Sequence, residues 1–318
     1  MSAGWVAGVT RARALRTRCL GAEGIGEVAA SPTLDDALRY LAATPYRHDV
    51  TPGATSAEGQ RAVSATLLWH LRVLAGWQPA TGADAIRALA AGFEISNTEH
   101  HLRALAADPR ALSPRPHVPP YRLGALAIAW TRLARTRTPS ELRNALAASV
   151  WGDPGGDSSA AVATGMRVSA ALRLATTVPD AARWAAARLA LLFGREVFVV
   201  GRRMPDVSTR RAARLLGPRA VSAGSYADFR QALPATARWL LEDVDEPADL
   251  WRAEAGWWKA VERDGRELLR RSHFGPRPVV GTVAVLSADA WRTRGALELA
   301  GRGGGPGDWP AEVLDAPG

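Results

Sequence analysis

A pattern typical of a helix start occurs three times along the chain, each time in the same register. In each copy a Thr or Ser is followed three residues later by an acid and, five residues further on, by a leucine. The copies begin at Thr33, Thr138 and Ser225 and share the leucines Leu41, Leu146 and Leu233. A hydroxyl followed at this spacing by an acid is a capping-box pattern, because it supplies acceptors near the orphan N–H groups of a helix N-terminus.

The spacing of the copies, about 105 and 87 residues, is much longer than the period of a solenoid repeat. The shared register therefore predicts three related helical lobes and not a superhelix. Stretches rich in Pro and Gly at 108–121 and 217–225 predict the boundaries between the lobes, because such residues end helices. The alternative is three unrelated helices that carry ordinary caps.

Composition favours helix along the whole chain. The 318 residues are 47% hydrophobic, and Ala, Leu and Arg dominate over β-branched runs, so we predict an all-α protein with a sizeable core. No segment approaches the length of apolar sequence that crosses a bilayer, and no secretion signal is evident at the N-terminus. The single cysteine, Cys19, excludes a disulfide within the chain and fits a reducing cytoplasm.

The formal net charge is +9, which is compatible with nucleic acid, an anionic membrane or an acidic protein as partner. The arginines are scattered among acids and form no long run. A solvated arginine-rich surface therefore explains the charge without any such partner. A basic helical nucleic-acid-binding protein stays open as an alternative function.

Sequence motifs of enzymes are largely absent. A P-loop needs a lysine followed by Ser or Thr, whereas the only lysine, Lys259, is followed by Ala260. The stretch "GAEGIG" (21–26) lacks the order of a dinucleotide-binding loop, and the adjacent His100 and His101 would point to different helix faces. We expect neither a metal nor a cofactor, and an all-α enzyme with an unrecognised apolar pocket is the least favoured class.

Charged residues interrupt the apolar stripe of the first predicted helix, 5–20. Arg13 and Arg16 fall within the stripe that Trp5 and Val9 begin. A buried guanidinium is costly unless it is paired, so these arginines either meet carboxylates of the same lobe, emerge at a protein interface or extend to solvent at the edge of the stripe.

The predicted helix 84–107 has a similar interruption, where Glu94, Asn97 and His101 continue an apolar stripe with polar groups. Glu94 is the first intramolecular candidate to pair with Arg13 or Arg16. The helix is expected to bend or restart near Ser96, although an ordinary polar kink would give the same pattern.

These segments resemble a known family, the C subunits of V-type and archaeal-type rotary ATPases, which are the d subunits of the eukaryotic enzymes. The resemblance covers nearly the full length in order and spacing. Its motifs are the paired arginines of "TRARALRTR" (10–18), the helix end "LAATPY" (41–46), the helix "FEISNTEHHLRAL" (93–105) and the closing "VVGTVAVLSADAWRTRGALELAGRG" (279–303). The chain departs from the family at Asp289, which stands between alanines where an acidic patch is usual. It departs again at Arg238, which stands where the other two copies have Tyr46 and Trp151.

The resemblance implies three similar helical-bundle lobes arranged as a funnel with a pseudo-threefold repeat. With the breaks noted above, the expected divisions are lobes at 1–115, 116–220 and 221–303 and a tail at 304–318. The residues expected to bind partners or to organise the lobes are Arg13, Arg16, Tyr46, Glu94, Asn97 and Arg103.

The function that the resemblance implies is that of a non-catalytic central-stalk subunit. Such a subunit is a socket that couples the central stalk of the soluble motor to the membrane rotor ring of c (proteolipid) subunits during proton or sodium transport. The expected partners are therefore the ring and the stalk subunits, with no specific nucleic acid. The expected location is cytoplasmic, on the inner face of the cell membrane, with membrane contact only through the complex.

Overall fold

The computed structural model describes residues 3–106, 118–270 and 274–303. Within these ranges every regular element is helical, so the predicted all-α class is confirmed. Most of the predicted boundary at 108–121 and the whole predicted tail at 304–318 lie outside the described residues.

The chain divides into two compact units. Unit 1 consists of Met1–Ile86 together with Trp258–Gly318, and unit 2 is the continuous stretch Arg87–Trp257. The two divisions fall inside the predicted first and third lobes. The three lobes and their funnel arrangement stay a prediction.

The α-helices of the first half of the chain are α1 (Ala3–Leu15), α2 (Gly21–Ala30), α3 (Leu34–Ala42), α4 (Ser56–Gly76), α5 (Ala80–Leu89), α6 (Ala91–Leu105), α7 (Trp130–Leu133) and α8 (Pro139–Ala147). Those of the second half are α9 (Ser159–Thr177), α10 (Ala182–Gly194), α11 (Asp206–Leu216), α12 (Pro218–Val221), α13 (Tyr226–Ala232), α14 (Ala235–Arg238), α15 (Leu250–Arg270) and α16 (Pro276–Gly301). Short 3-10 turns and one π-helical turn, Arg195–Val199, join them.

Unit 1 is built around α16, the last helix that the structure describes. Eighteen of its 26 residues are buried, on all sides of the helix, and α1, α2, α3 and α4 pack around it. Two glycines let α15 approach α16 closely, because a Cβ on Gly281 would lie 2.5 Å from the carbonyl oxygen of Gly265. A helix buried on all sides marks the centre of a bundle, so both ends of the chain contribute to one core.

Unit 2 is built around α10, an alanine- and leucine-rich helix. Helices α9, α11 and α14 pack against it. Phe193 stacks on Phe229 with ring centroids 5.3 Å apart, and Leu216 and Leu233 are fully buried in the same cluster. The small side chains along α10 allow neighbouring helices to approach it from several directions.

The three predicted helix starts are confirmed. Thr33, Thr138 and Ser225 occupy N-cap positions with φ of −135°, −135° and −129° and ψ of 157°, 155° and 158°. Each side chain accepts a hydrogen bond from the backbone N–H three residues later, at 3.1 Å in all three copies. The leucine that the copies share is fully buried in each.

Several predicted helix boundaries were wrong. The predicted helix 84–107 is divided into α5 and α6 at Ala90, whose ψ is 1°, and α6 runs unbroken past Ser96, where a restart was predicted. Two helix ends of the second half follow from prolines. Helix α13 ends at Ala232 because Pro234 cannot continue it, and α16 begins at Pro276 because proline is well tolerated in the first turn of a helix.

Candidate functional site: two buried carboxylate centres

The first carboxylate centre lies in unit 1 around Asp289 of α16, which is 2% exposed. Its Oδ2 accepts a hydrogen bond from the Tyr46 hydroxyl at 2.7 Å and one from the Leu20 amide at 3.0 Å. Its Oδ1 accepts one from the Gly21 amide at 2.9 Å. One side chain of the last helix thus holds the start of α2 and the turn that follows α3.

Burial sets the protonation behaviour of this centre. It raises the pKa of Asp289 above its usual range, although the donors from Leu20, Gly21 and Tyr46 act in the opposite direction. Burial and the neighbouring carboxylate together raise the pKa of the Tyr46 hydroxyl well above its usual value, so this hydroxyl remains a donor. Burial likewise raises the pKa of the nearby Cys19 thiol, which disfavours the reactive thiolate.

The second centre lies in unit 2 around Glu94 of α6, which is 1% exposed. Its Oε1 accepts hydrogen bonds from the Trp151 indole N–H at 2.8 Å and from the Ala129 amide at 2.8 Å. Its Oε2 accepts one from the Ile128 amide at 2.5 Å. Here too a buried carboxylate on a helix receives one aromatic donor and two consecutive backbone amides.

The turns that supply the aromatic donors are built alike in the two centres. The hydroxyls of Thr44 and Ser149 each donate to the carbonyl oxygen three residues earlier, at 2.7 Å. Each hydroxyl also accepts a hydrogen bond from the amide of the aromatic residue two positions later, at 3.2 and 3.1 Å. This pair of hydrogen bonds closes the turn and aims the aromatic ring inward.

The helices that carry the carboxylates also correspond. Thr293 and Thr98 lie four residues after their acids and donate to the carbonyl oxygens of those acids, at 2.8 and 2.9 Å. Leu297 and Leu102 follow at the same spacing and are both buried. The two units thus repeat a set of contacts that joins a capped helix, a turn and a carboxylate helix.

The third copy of the pattern keeps the cap and the buried leucine but lacks the centre. At the position of the aromatic donor, Arg238 turns back on its own segment, and its Nη2 donates to the Leu233 carbonyl oxygen at 2.6 Å. The helix against which α14 packs, α10, has no carboxylate in its sequence. The repeat is therefore complete twice and partial once.

Asn97 lies one turn after Glu94 and is 2% exposed. Its side-chain amide donates to the carbonyl oxygen of Tyr121 at 2.9 Å, and its Oδ1 accepts from the Tyr121 amide at 2.7 Å. This paired contact ties the chain entering the 3-10 turn Gly124–Leu126 to the same face of α6. His101, on the next turn, lies 3.1 Å from the carbonyl oxygen of Thr136.

The two N-terminal arginines differ in exposure, and of the alternatives considered for them Arg16 fits emergence at the surface. The α-helix ends at Leu15, and the tighter 3-10 turn that follows leaves Arg16 exposed, whereas Arg13 is half-buried. The predicted pairing of these arginines with Glu94 was wrong, since Glu94 binds Trp151 and two backbone amides.

Arg103, the last of the predicted site residues, lies on the exposed side of α6 at the edge of a cleft. The structure therefore separates the six residues into two groups. Tyr46, Glu94 and Asn97 are buried in hydrogen-bonded centres, and the three arginines are half-buried or exposed.

A buried ion pair that the sequence analysis missed joins α15 to α16. Glu262 lies 2.6 Å from Nη2 of Arg292 and 2.8 Å from Nη2 of Arg266, and the first two side chains are at most 6% exposed. The role of Asp289 was missed as well. Asp289 and Arg292 both belong to a sequence pattern that the two carboxylate helices share. In this pattern the acid is followed by Asn or Arg after three residues, by Thr after four and by Leu after eight.

The described residues hold no group of three or more His, Cys, Asp or Glu side chains arranged to bind a metal ion. Within the same ranges, no helix has the length and apolar character needed to cross a bilayer. The fold and the two centres thus define a helical scaffold whose polar interior fixes backbone segments to central helices.

Residues 8–156 match the family model of the ATP synthase (C/AC39) subunit. The matched residues make up just under half of the chain, and over them the predicted resemblance to the C/AC39 subunits of V/A-type ATPases is confirmed. The matched region contains the first two capped helices and Glu94, and it ends just after Trp151. Members of the family are subunits of a rotary ATPase and so assemble with other subunits, whereas the nucleic-acid alternative gains no support. No curated protein matches the chain.

Proposed function

We propose that this chain is a non-catalytic central-stalk subunit of a V/A-type ATPase. It acts as a socket that couples the central stalk of the soluble motor to the membrane rotor ring during proton or sodium transport. The observation that carries the proposal is the family match over residues 8–156. The proposed partners are the c (proteolipid) subunits of the ring and the stalk subunits, and the proposed location is the cytoplasmic face of the membrane.

The buried centres support a mechanical role. A part that transmits torque has to keep its shape under load, and hydrogen-bonded carboxylates in a dry interior hold backbone segments more tightly than apolar contacts alone. Each centre fixes two consecutive amides of a loop to a central helix. Tyr46, Glu94 and Asn97 are therefore proposed to organise the units, so that the surfaces presented to the partners are rigid.

The exposed arginine at the end of α1 is the proposed partner contact. Arg16 lies in a 3-10 turn that has no buried residue, and no acid follows it before α2 begins. A guanidinium in this setting is available for an acidic surface of another subunit. Arg13, on the preceding turn and half-buried, is proposed to support the same surface.

Co-expression with the ring and stalk subunits tests the proposal. We expect the wild-type chain to co-purify with both and, when isolated, to show no ATP turnover. Arg16→Glu should weaken co-purification without lowering the thermal midpoint, because the side chain is exposed. Arg135→Glu, which changes an exposed arginine of unit 2, is the matched control. ATP turnover that survives repurification, or a chain that co-purifies with neither partner, contradicts the proposal.

A further inference from the structure

A cleft of about 390 Å³ opens on the surface of unit 2, where α6, the start of α9 and the segment after α10 meet. Its lining includes the charged and hydroxyl side chains of Glu99, Arg103, Ser159, Thr164, Arg167 and Arg202. We propose that this cleft binds a phosphate group. The inference goes beyond the proposed function and does not depend on it.

The charges of the cleft leave a net positive site. Arg167 lies 2.6 Å from Glu99, and Arg202 lies 2.7 Å from Glu196, so two of the three arginines are neutralised by glutamates. Arg103 forms no ion pair with any residue that the structure describes, and its side chain is exposed at the edge of the cleft. One full positive charge therefore remains for a ligand.

The N-terminus of α9 adds donors to this charge. Ser158 caps the helix by accepting from the Ala161 amide, so the preceding amides of Ser159 and Ala160 have no intrahelical acceptor. Both residues line the cleft, and the first turn of this 19-residue helix contains no acid. Free amides at the positive end of a helix dipole form a favourable environment for an oxyanion.

A buried hydroxyl that lines the cleft is independent evidence for a ligand. Thr164 is only 3% exposed, yet its side chain makes no hydrogen bond within the described part of the chain. Hydroxyls of residues buried to this degree are ordinarily hydrogen-bonded within the protein, so a hydroxyl that reaches the cleft without a protein partner is available to a ligand. Thr164 lies on the second turn of α9, on the side that faces the cleft, where it can donate to an anion held by the helix N-terminus.

These donors match a phosphate group. A tetrahedral oxyanion accepts hydrogen bonds on several sides at once, from a guanidinium, two backbone amides and a hydroxyl. The ion pairs of Arg167 and Arg202 fix the walls of the cleft and leave further guanidinium N–H groups for a second contact. A free phosphate ion and the phosphomonoester headgroup of a lipid share this chemistry.

Titration of the full-length chain tests the proposal. Inorganic phosphate is added at constant ionic strength and followed by calorimetry, with chloride as the comparison ion. We expect saturable binding that Arg103→Ala and Thr164→Val each weaken by about tenfold or more, the loss expected for one charge-assisted hydrogen bond. Arg135→Ala, at an exposed arginine away from the cleft, should bind as the wild type does.

A second arm identifies the source of the phosphate. Sedimentation with phosphatidylcholine vesicles, with and without phosphatidic acid, measures binding to a headgroup. Saturable binding in either arm that depends on Arg103 supports the proposal and assigns the source. The proposal is overturned if neither probe binds, or if binding is the same in Arg103→Ala and in the control. Arg103 is exposed, so this variant keeps its fold even if Thr164→Val does not.

Discussion

Two different aromatic side chains perform the same task in the two units. A phenol O–H and an indole N–H both present one donor at the end of a rigid ring, which is all that the buried carboxylate needs. Tyr46 and Trp151 are interchangeable in this sense, although their shapes and volumes differ. An apolar aromatic ring at either position would fill the space and leave the carboxylate with one donor fewer.

Replacement of Trp151 by Phe removes that donor together with part of the buried ring. We expect Trp151→Phe to lower the free energy of unfolding of unit 2 by about 1–3 kcal/mol, because Glu94 stays buried and loses one of its three hydrogen bonds. Urea unfolding followed by circular dichroism measures the change. Trp77→Phe, at a tryptophan that is 54% exposed, is the control and should change stability by much less.

The protonation of Asp289 predicts how stability changes with pH. Because burial raises the pKa of Asp289 in the folded chain, the folded state holds this proton more tightly than the unfolded state. The contribution of Asp289 to stability is therefore fully present below the ordinary aspartate pKa of 3.8 and is lost as the pH rises through the raised pKa.

Thermal midpoints measured across the acidic pH range test the predicted direction of this change in stability. As the pH rises from below 3.8, the thermal midpoint of the wild type should fall relative to that of Asp289→Asn. Asp243→Asn, at an exposed aspartate, should give a curve parallel to that of the wild type. A difference that does not vary with pH would show that Asp289 does not titrate in the folded chain over this range.

The recurring helix start is the best-defined element of the fold. In all three copies the N-cap residue is held in an extended conformation, with φ and ψ that agree within a few degrees. Local chemistry is sufficient for this agreement, since the hydroxyl, the amide three residues later and the acid all belong to one short segment. The third copy keeps the same cap although it lacks the carboxylate centre of the other two, so the cap does not depend on that centre.

Equal geometry predicts equal energies for the three caps. Thr33→Ala, Thr138→Ala and Ser225→Ala should each cost about 1 kcal/mol, the usual contribution of such a cap. Ser140→Ala, which removes an exposed hydroxyl inside the first turn of α8, should cost little or nothing. Chemical denaturation of the single variants provides the comparison, and a neutral Ser225→Ala would set the third copy apart from the other two.

Features that depend on a short stretch of sequence were predictable, whereas contacts between distant residues were not. Helix starts, the all-α class and the polar residues Glu94 and Asn97 could be read from local patterns, because caps and polar interruptions of a stripe leave a mark in the sequence. The partners of Tyr46 and Glu94 could not, since Asp289 is 243 positions away from Tyr46 and Trp151 is 57 away from Glu94. Which of the alternatives for Arg16 applies could not be decided from the sequence, because the end of α1 depends on the 3-10 turn that follows.

The two units differ in how the chain assembles them. Unit 2 is one continuous stretch, whereas unit 1 combines the N-terminal helices with the second part of α15 and with α16. The contacts that close unit 1 are polar as well as apolar. They include the hydrogen bond of Thr282 to the Ala12 carbonyl oxygen at 3.1 Å and the ion pair between Glu262 and Arg292.

Breaking that ion pair should destabilise unit 1 strongly. Arg292→Met leaves Glu262 buried with one cation in place of two, and loss of one partner of a buried pair typically costs about 3–5 kcal/mol. Arg263→Met, which breaks the exposed pair with Asp264, should cost no more than about 1 kcal/mol. Thermal unfolding of both variants distinguishes the two, and equal losses would contradict a special role for the buried pair.

The central position of α16 also determines the order in which a growing chain can fold. A ribosome releases the N-terminal helices first, but the helix that fills their core emerges more than 200 residues later. Until then, Tyr46 and the amides of Leu20 and Gly21 lack their carboxylate, and the apolar faces of α2, α3 and α4 have nothing to cover them. Unit 2 is complete earlier and can fold while synthesis continues. We therefore expect a nascent chain to hold an unfinished first unit until α16 is synthesised.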